Sequence, residues 1–133
     1  MNNLGIVVPT LGSRPEFLIE ALKSIRNAGE CYIVIVAPIQ AYVDRIIDRR
    51  LFDELVEDPM QGLVEAISTG VRALPQQIEY FNWLGDDDTL APNSLRMSSS
   101  TLEDDPAIVC VFGMCQYINQ DGQPIYKNKS GRF

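Results

Sequence analysis

Short apolar runs alternate along this chain with segments whose apolar positions recur at helical spacing. Leu4 to Val8 is such a run, and Pro9-Thr10-Leu11-Gly12-Ser13 ends it, which predicts a buried strand and then a loop. Pro15 suits a first helical turn, and Leu18, Ala21, Leu22 and Ile25 then build one apolar stripe. Asn27-Ala28-Gly29 closes that helix. Tyr32 to Ala37 is continuously apolar and rich in β-branched residues, the pattern of a parallel strand covered on both faces.

Val43, Ile46, Ile47 and Leu51 predict a second, weaker helix, and Glu54-Leu55-Val56 a short third strand. From Gly62 to Leu74 a helix is expected with Leu63, Ile67, Val71 and Leu74 on one face, stopped by Pro75. Gly70 lies inside it at a cost of about 1 kcal/mol relative to Ala, which is better tolerated where the helix packs closely. Ile78 to Leu84 reads as another buried strand, Pro92 as a helix start, and Ile108 to Phe112 as a further apolar strand. Asp121-Gly122 is a turn signal that makes hairpin arms of Met114 to Ile118 and Pro124 to Tyr126.

Strand–helix alternation of this kind predicts an α/β fold with right-handed crossovers and a mostly parallel sheet. Ligands of such sheets bind beyond the carboxyl ends of the strands. Pro9-Thr10 follows one strand end, and three consecutive carboxylates, Asp86-Asp87-Asp88, follow another. Adjacent carboxylates roughly 5 Å apart repel by about 0.8 kcal/mol in water and by several times more at an effective protein dielectric. A structured loop that accepts this cost calls for a cation or several hydrogen-bond donors. A divalent-metal site is therefore the leading expectation, set against a solvated acidic loop that caps the next helix.

Composition narrows the choice. A length of 133 residues suits one compact domain, and no window approaches the roughly 18 apolar residues of a membrane span. The N-terminal residues lack the basic start of a signal peptide. A net charge of −7 argues against general nucleic-acid binding. It leaves a nucleotide ligand open, because one metal ion reverses the local field. Cys31, Cys110 and Cys115 lack C-x-x-C spacing and read as buried thiols of a reducing, cytoplasmic compartment. The chain has no histidine, which removes histidine-based triads and imidazole bases.

Several segments in order are similar to a known family. They are Ile6-Val7-Val8-Pro9-Thr10, the helix after Arg14-Pro15, Gly62-Leu63-x-x-Ala66-x-x-x-Gly70, and Leu84-Gly85-Asp86-Asp87-Asp88-x-Leu90-x-Pro92. Together with Val109 to Gly122 they resemble the nucleotide-binding half of family 2 glycosyltransferases. That resemblance implies a GT-A, Rossmann-like three-layer fold with a mostly parallel sheet and a C-terminal β-hairpin. It covers residues 1–133 as a single nucleotide-diphospho-sugar-binding domain, cut before the acceptor-binding part. The implied activity is inverting transfer of a sugar, hexosyltransferase-type, from a nucleotide-diphosphate sugar donor to a glycan, lipid or protein acceptor.

The family's acidic motif binds Mg²⁺ or Mn²⁺ against the diphosphate, and hard cations do prefer carboxylate oxygens. Spacing to Leu90 and Pro92 matches Asp87 and Asp88 to the later acidic positions, the implied metal ligands. Gly85 takes the place of the first, with Asp86 shifted by one and able to reach the ribose, so the ligating pair stays open. Pro9 and Thr10 match the loop that lies against the nucleotide, and Arg14 is a candidate phosphate contact or an ordinary surface arginine. Pro9-Thr10 also reads as a simple turn.

The chain departs from the family in places. Ala37-Pro38-Ile39-Gln40 replaces a frequent acidic pair after the second strand, and Ile67-Ser68 replaces a frequent Arg-Asn. The catalytic base is expected beyond residue 133 and is unassigned here. Glu57-Asp58 reads as a solvated loop before a site, and Trp83 as core before a sugar platform. Two other functions stand beside the first. One is a non-catalytic GT-A domain serving as an interaction module, with homo-oligomers favoured by exposed sheet. The other is a phospho-acceptor domain, disfavoured because Pro9-Thr10 occupies the place of its acidic pair.

Overall fold

The structure is a computed structural model and describes residues 3–127. The chain forms two compact units, one up to Ser99 and one from Ser100. In the first, β1 (Leu4–Pro9), β2 (Tyr32–Ala37), β3 (Glu54–Glu57) and β4 (Tyr80–Trp83) form one sheet in the order β3-β2-β1-β4. All pairings are parallel, with Val7 beside Val34 and beside Trp83. Helix α1 (Pro15–Ala28) connects β1 to β2, and α3 (Leu63–Ala73) connects β3 to β4. The two connections run in opposite directions across the sheet, so right-handed crossovers must place their helices on opposite faces.

The burial pattern shows those faces. Ile6, Val8, Ile33 and Ile35 pack with Leu18, Leu22, Ile25 and Ala28 of α1, together with Val43, Phe52 and Leu95. Val7, Val34 and Val36 point the other way and pack on Ala66 of α3. The unbroken apolar runs of β1 and β2 therefore feed two cores, as the sequence predicts. Each fully buried Ile, Leu or Val contributes about 1.5–3 kcal/mol, which makes these two strands the anchor of the unit.

Helix α3 meets the sheet through Ala66 and Gly70 together with Val71 and Leu74 of the predicted apolar face, while Leu63 at its start stands off it. Leu63 is 54% exposed, while Ala66 and Gly70 are buried. A Cβ on Gly70 would collide with Val7 Cγ1 and stand 2.9 Å from Val36 Cγ2. Close approach to a valine-covered sheet selects the smallest side chains, and the glycine is there for that approach.

Other expectations need correction. The second helix is only α2 (Val43–Ile46), flanked by 3₁₀ turns at Ile39–Ala41 and Arg49–Leu51. Ile47 turns extended after α2, and Asp48 accepts from the Arg50 backbone N–H at 2.9 Å, so the stripe is interrupted after one turn. Among the described residues β4 is an edge strand, not a buried one: Phe81 is 56% and Trp83 43% exposed, so Trp83 is not core. α4 (Ser94–Asp104) starts two residues after Pro92.

In the second unit, β5 (Gln116–Ile118) and β6 (Pro124–Lys127) form the expected antiparallel hairpin. Asn119 organises its turn, its side-chain Oδ1 accepting from the Asp121 and Gln123 N–H groups. Ile108 to Phe112 is not a strand: Val109 is 92% exposed, and no described strand pairs with it. β-Propensity acts through cross-strand neighbours, and without them an apolar run does not make a strand. Cys31 is buried, and burial pushes its thiol up to about 12, whereas Cys110 and Cys115 are exposed, against the sequence reading. No helix of the described residues is long and apolar enough to cross a membrane.

Candidate functional site

The chain leaves β1 toward β2 on one side and returns through β4 on the other, so the strand order reverses between β1 and β4. At such a reversal the two connections diverge and open a crevice at the carboxyl ends of the strands. The loops after β1 and β4 meet there. The Leu84 N–H still donates to the Val7 carbonyl at 2.9 Å, which fixes the start of the acidic loop beside the end of β1. Gly85 and Asp88 then close a tight turn, the Asp88 N–H donating to the Gly85 carbonyl at 3.1 Å.

Thr10 is the buried polar residue of this crevice, 5% exposed. Its N–H donates to the Val36 carbonyl at 2.9 Å, continuing the ladder past β1. Its Oγ1 accepts from the Gly12 N–H at 3.0 Å and donates to Asp86 Oδ2 at 2.6 Å. The residues 10 and 86, remote in sequence, are thus joined by a short hydrogen bond to a charged group. Pro9 is the last residue of β1 and supplies the fixed backbone before this junction.

Arg14 stands just before α1 and faces the acidic turn. Its Nη2 lies 3.1 Å from Asp87 Oδ2 and 3.5 Å from Asp86 Oδ1, while its guanidinium stands 5.5 Å from the centre of the Phe17 ring. The Arg14 and Asp87 side chains are each 47% exposed, so that pair is solvent-screened and contributes about 0–1 kcal/mol, while Asp86 is 15% exposed. The sequence proposed Arg14 for a phosphate; in this structure it faces the carboxylates.

Asp88 has no such partner among the described residues. Burial pushes its carboxyl above the usual range, and the neighbouring Asp87 and Asp86 push it the same way. Asp88 Oδ2 lies 2.9 Å and Asp87 Oδ1 3.4 Å from the point where a Cβ on Gly85 would stand. The missing side chain leaves a shallow cradle into which both carboxylates turn. This gives glycine a reason at the position where the family resemblance expects an acid. Among the described residues no three His, Cys, Asp or Glu side chains converge as a complete metal cage. Two carboxylates completed by phosphate oxygens and water remain a normal Mg²⁺ environment, and the donor set fits that chemistry.

Two features were not legible in the sequence. Ser24 of α1 accepts at Oγ from the Leu90 N–H at 3.0 Å and donates to the Ala21 carbonyl at 2.7 Å, tying the acidic loop to α1. A helix-interior serine carries no signal for a contact 66 residues away. Further along the same sheet edge lies a cavity of about 260 Å³. Pro38, Ile39, Val43 and Leu55 line it, with Asp44 and Glu57 as its carboxylates. Glu57 therefore borders a cavity, while Asp58 accepts from the Met60 N–H within its own loop.

No family model matches the chain, and no curated protein does. Solved structures do. The crystal structure of S. aureus TarS 1-349 matches 78% of this chain at a TM-score of 0.62 and 16% identity. The crystal structure of S. aureus TarS matches the same share at 0.60 and 14%. The fold is GT-A-like. A parallel four-stranded sheet and a separate antiparallel hairpin are its described parts, in agreement with the resemblance read from the sequence. The matches span 33% of TarS 1-349 and 20% of TarS, so the chain corresponds to a minor part of either protein.

Proposed function

We propose that this chain is the donor-binding part of a metal-dependent glycosyltransferase of family 2 that transfers a sugar, with inversion, from a nucleotide-diphosphate donor. The observation that carries the proposal is the meeting of Thr10, Arg14 and the Asp86–Asp88 turn at the switch point of a GT-A-like sheet. The mouth of this crevice is acidic, and a diphosphate would be repelled from it without a cation. Mg²⁺ or Mn²⁺, when bound by Asp87 and Asp88, supplies Lewis-acid stabilisation of the charge on the departing diphosphate.

The chain's own residues divide the remaining work. Thr10 holds Oδ2 of Asp86, and Oδ1, which faces Arg14 at 3.5 Å, is the oxygen that would accept from a ribose hydroxyl. Pro9 fixes the backbone against which the nucleotide lies. Arg14 offers a planar guanidinium to a phosphate. The cavity beside Glu57 and Asp44 accepts the base; at about 260 Å³ it lies just under the roughly 300–1,000 Å³ of drug-sized pockets and suits one part of a ligand. The acceptor is a glycan, lipid or protein.

Calorimetry with UDP-, GDP- and dTDP-sugars tests the proposal. Binding to at least one donor is expected with Mn²⁺ and is lost in EDTA or in Asp87→Ala. Binding that ignores both changes would refute it. A second reading, a non-catalytic interaction module of the same fold, is favoured by the exposed aromatic face of β4. Donor hydrolysis or sugar transfer by the protein would eliminate that reading.

A further inference from the structure

Arg14 is held by the acidic turn, yet loosely. It reaches Asp87 at 3.1 Å and Asp86 at 3.5 Å with one nitrogen, Nη2, so neither contact is the two-pronged pairing that locks a guanidinium. Half of its side chain is exposed, and it precedes α1 instead of being packed within it. The acids it touches are the one held by Thr10 and the one that shares the Gly85 cradle with Asp88. A guanidinium cannot lose its charge, so this cation is always present beside the turn.

We infer that Arg14 is an exchangeable counter-ion: it partly neutralises Asp86 and Asp87 while no metal is bound, and is released toward the diphosphate when a divalent cation takes Asp87. The inference rests on the donor-binding reading above and adds a coupling to it. Arg14 competes with the metal in the empty site and assists the nucleotide in the loaded one. A merely structural ion pair has the opposite signature, because its loss loosens the turn and weakens metal and nucleotide together.

The competition is modest by its physics. A single-nitrogen contact at half exposure is worth up to about 1 kcal/mol, so its removal shifts affinity by roughly threefold to fivefold. The assistance is larger, since a charge-assisted contact to phosphate contributes about 1.5–3 kcal/mol, or more than tenfold.

Electron paramagnetic resonance of free Mn²⁺ titrated with nucleotide-free protein separates these outcomes. In Arg14→Gln, Mn²⁺ is expected to bind threefold to fivefold more tightly than in the wild type, and Arg14→Lys, which keeps the charge, to stay near wild type. With Mn²⁺ saturating, UDP or the nucleoside diphosphate preferred by the wild type is expected to bind more than tenfold more weakly to Arg14→Gln. Mn²⁺ affinity unchanged or lowered in Arg14→Gln, but abolished in Asp87→Ala, overturns the exchange and leaves the metal site standing. Mn²⁺ binding that Asp87→Ala does not alter overturns both.

Discussion

At the scale of single residues, the site turns on Thr10 more than on the carboxylates that announce it. Its hydroxyl is spent twice, accepting from Gly12 and donating to Asp86, in a position 5% exposed to solvent. Replacement by the isosteric valine leaves the Asp86 carboxylate and the Gly12 N–H without those partners. A hydrogen bond to a charged group contributes about 1.5–3 kcal/mol. Thr10→Val is expected to lower stability by about that amount in urea unfolding, with an unchanged m-value. A loss below about 0.5 kcal/mol would show that water replaces the hydroxyl at little cost. The sequence placed Thr10 and Asp86 at carboxyl ends of strands, because apolar runs mark where strands stop. It did not reveal the bond between them, nor that Arg14 turns to the carboxylates, since those pairings are set by register and rotamer.

At the scale of elements, the apolar runs that form β1 and β2 were legible because both faces of a central strand need cover. What failed were elements whose state depends on a neighbour. Ile108 to Phe112 has the residues of a strand without a described pairing partner, and Val43 to Leu51 has a stripe that Ile47 and Asp48 interrupt. Helix α3 shows the same lesson, since the closeness of its packing is set by Val7 and Val36 opposite Gly70, with Val71 and Leu74 beside them. Gly70→Ala sets two effects against each other: about 1 kcal/mol gained in helix propensity against overpacking of about 1–3 kcal/mol. The collision is with side chains of two buried strands that cannot move aside. A net loss of about 1–2 kcal/mol is expected in thermal or urea unfolding, and a stabilised variant would contradict the close packing.

At the scale of the whole molecule, the sheet formed by the described residues ends at β4, a strand of Tyr80-Phe81-Asn82-Trp83 with no charge to discourage pairing. Phe81 and Trp83 stand two apart and therefore share one face. An uncharged aromatic edge of this kind is a template for strand addition. Sedimentation velocity is expected to show concentration-dependent self-association of this 133-residue chain, abolished by Phe81→Lys. A monomer at every concentration would count against it.

The proposed donor site is the crevice between β1 and β4, taking a metal–diphosphate pair. Anomalous diffraction from a crystal soaked with Mn²⁺ and UDP tests it most directly. A manganese peak bound by carboxylate oxygens of Asp87 and Asp88 and by diphosphate oxygens is expected, with the Arg14 guanidinium moved off Asp87. Nucleotide bound elsewhere, or manganese held away from the acidic turn, would contradict it.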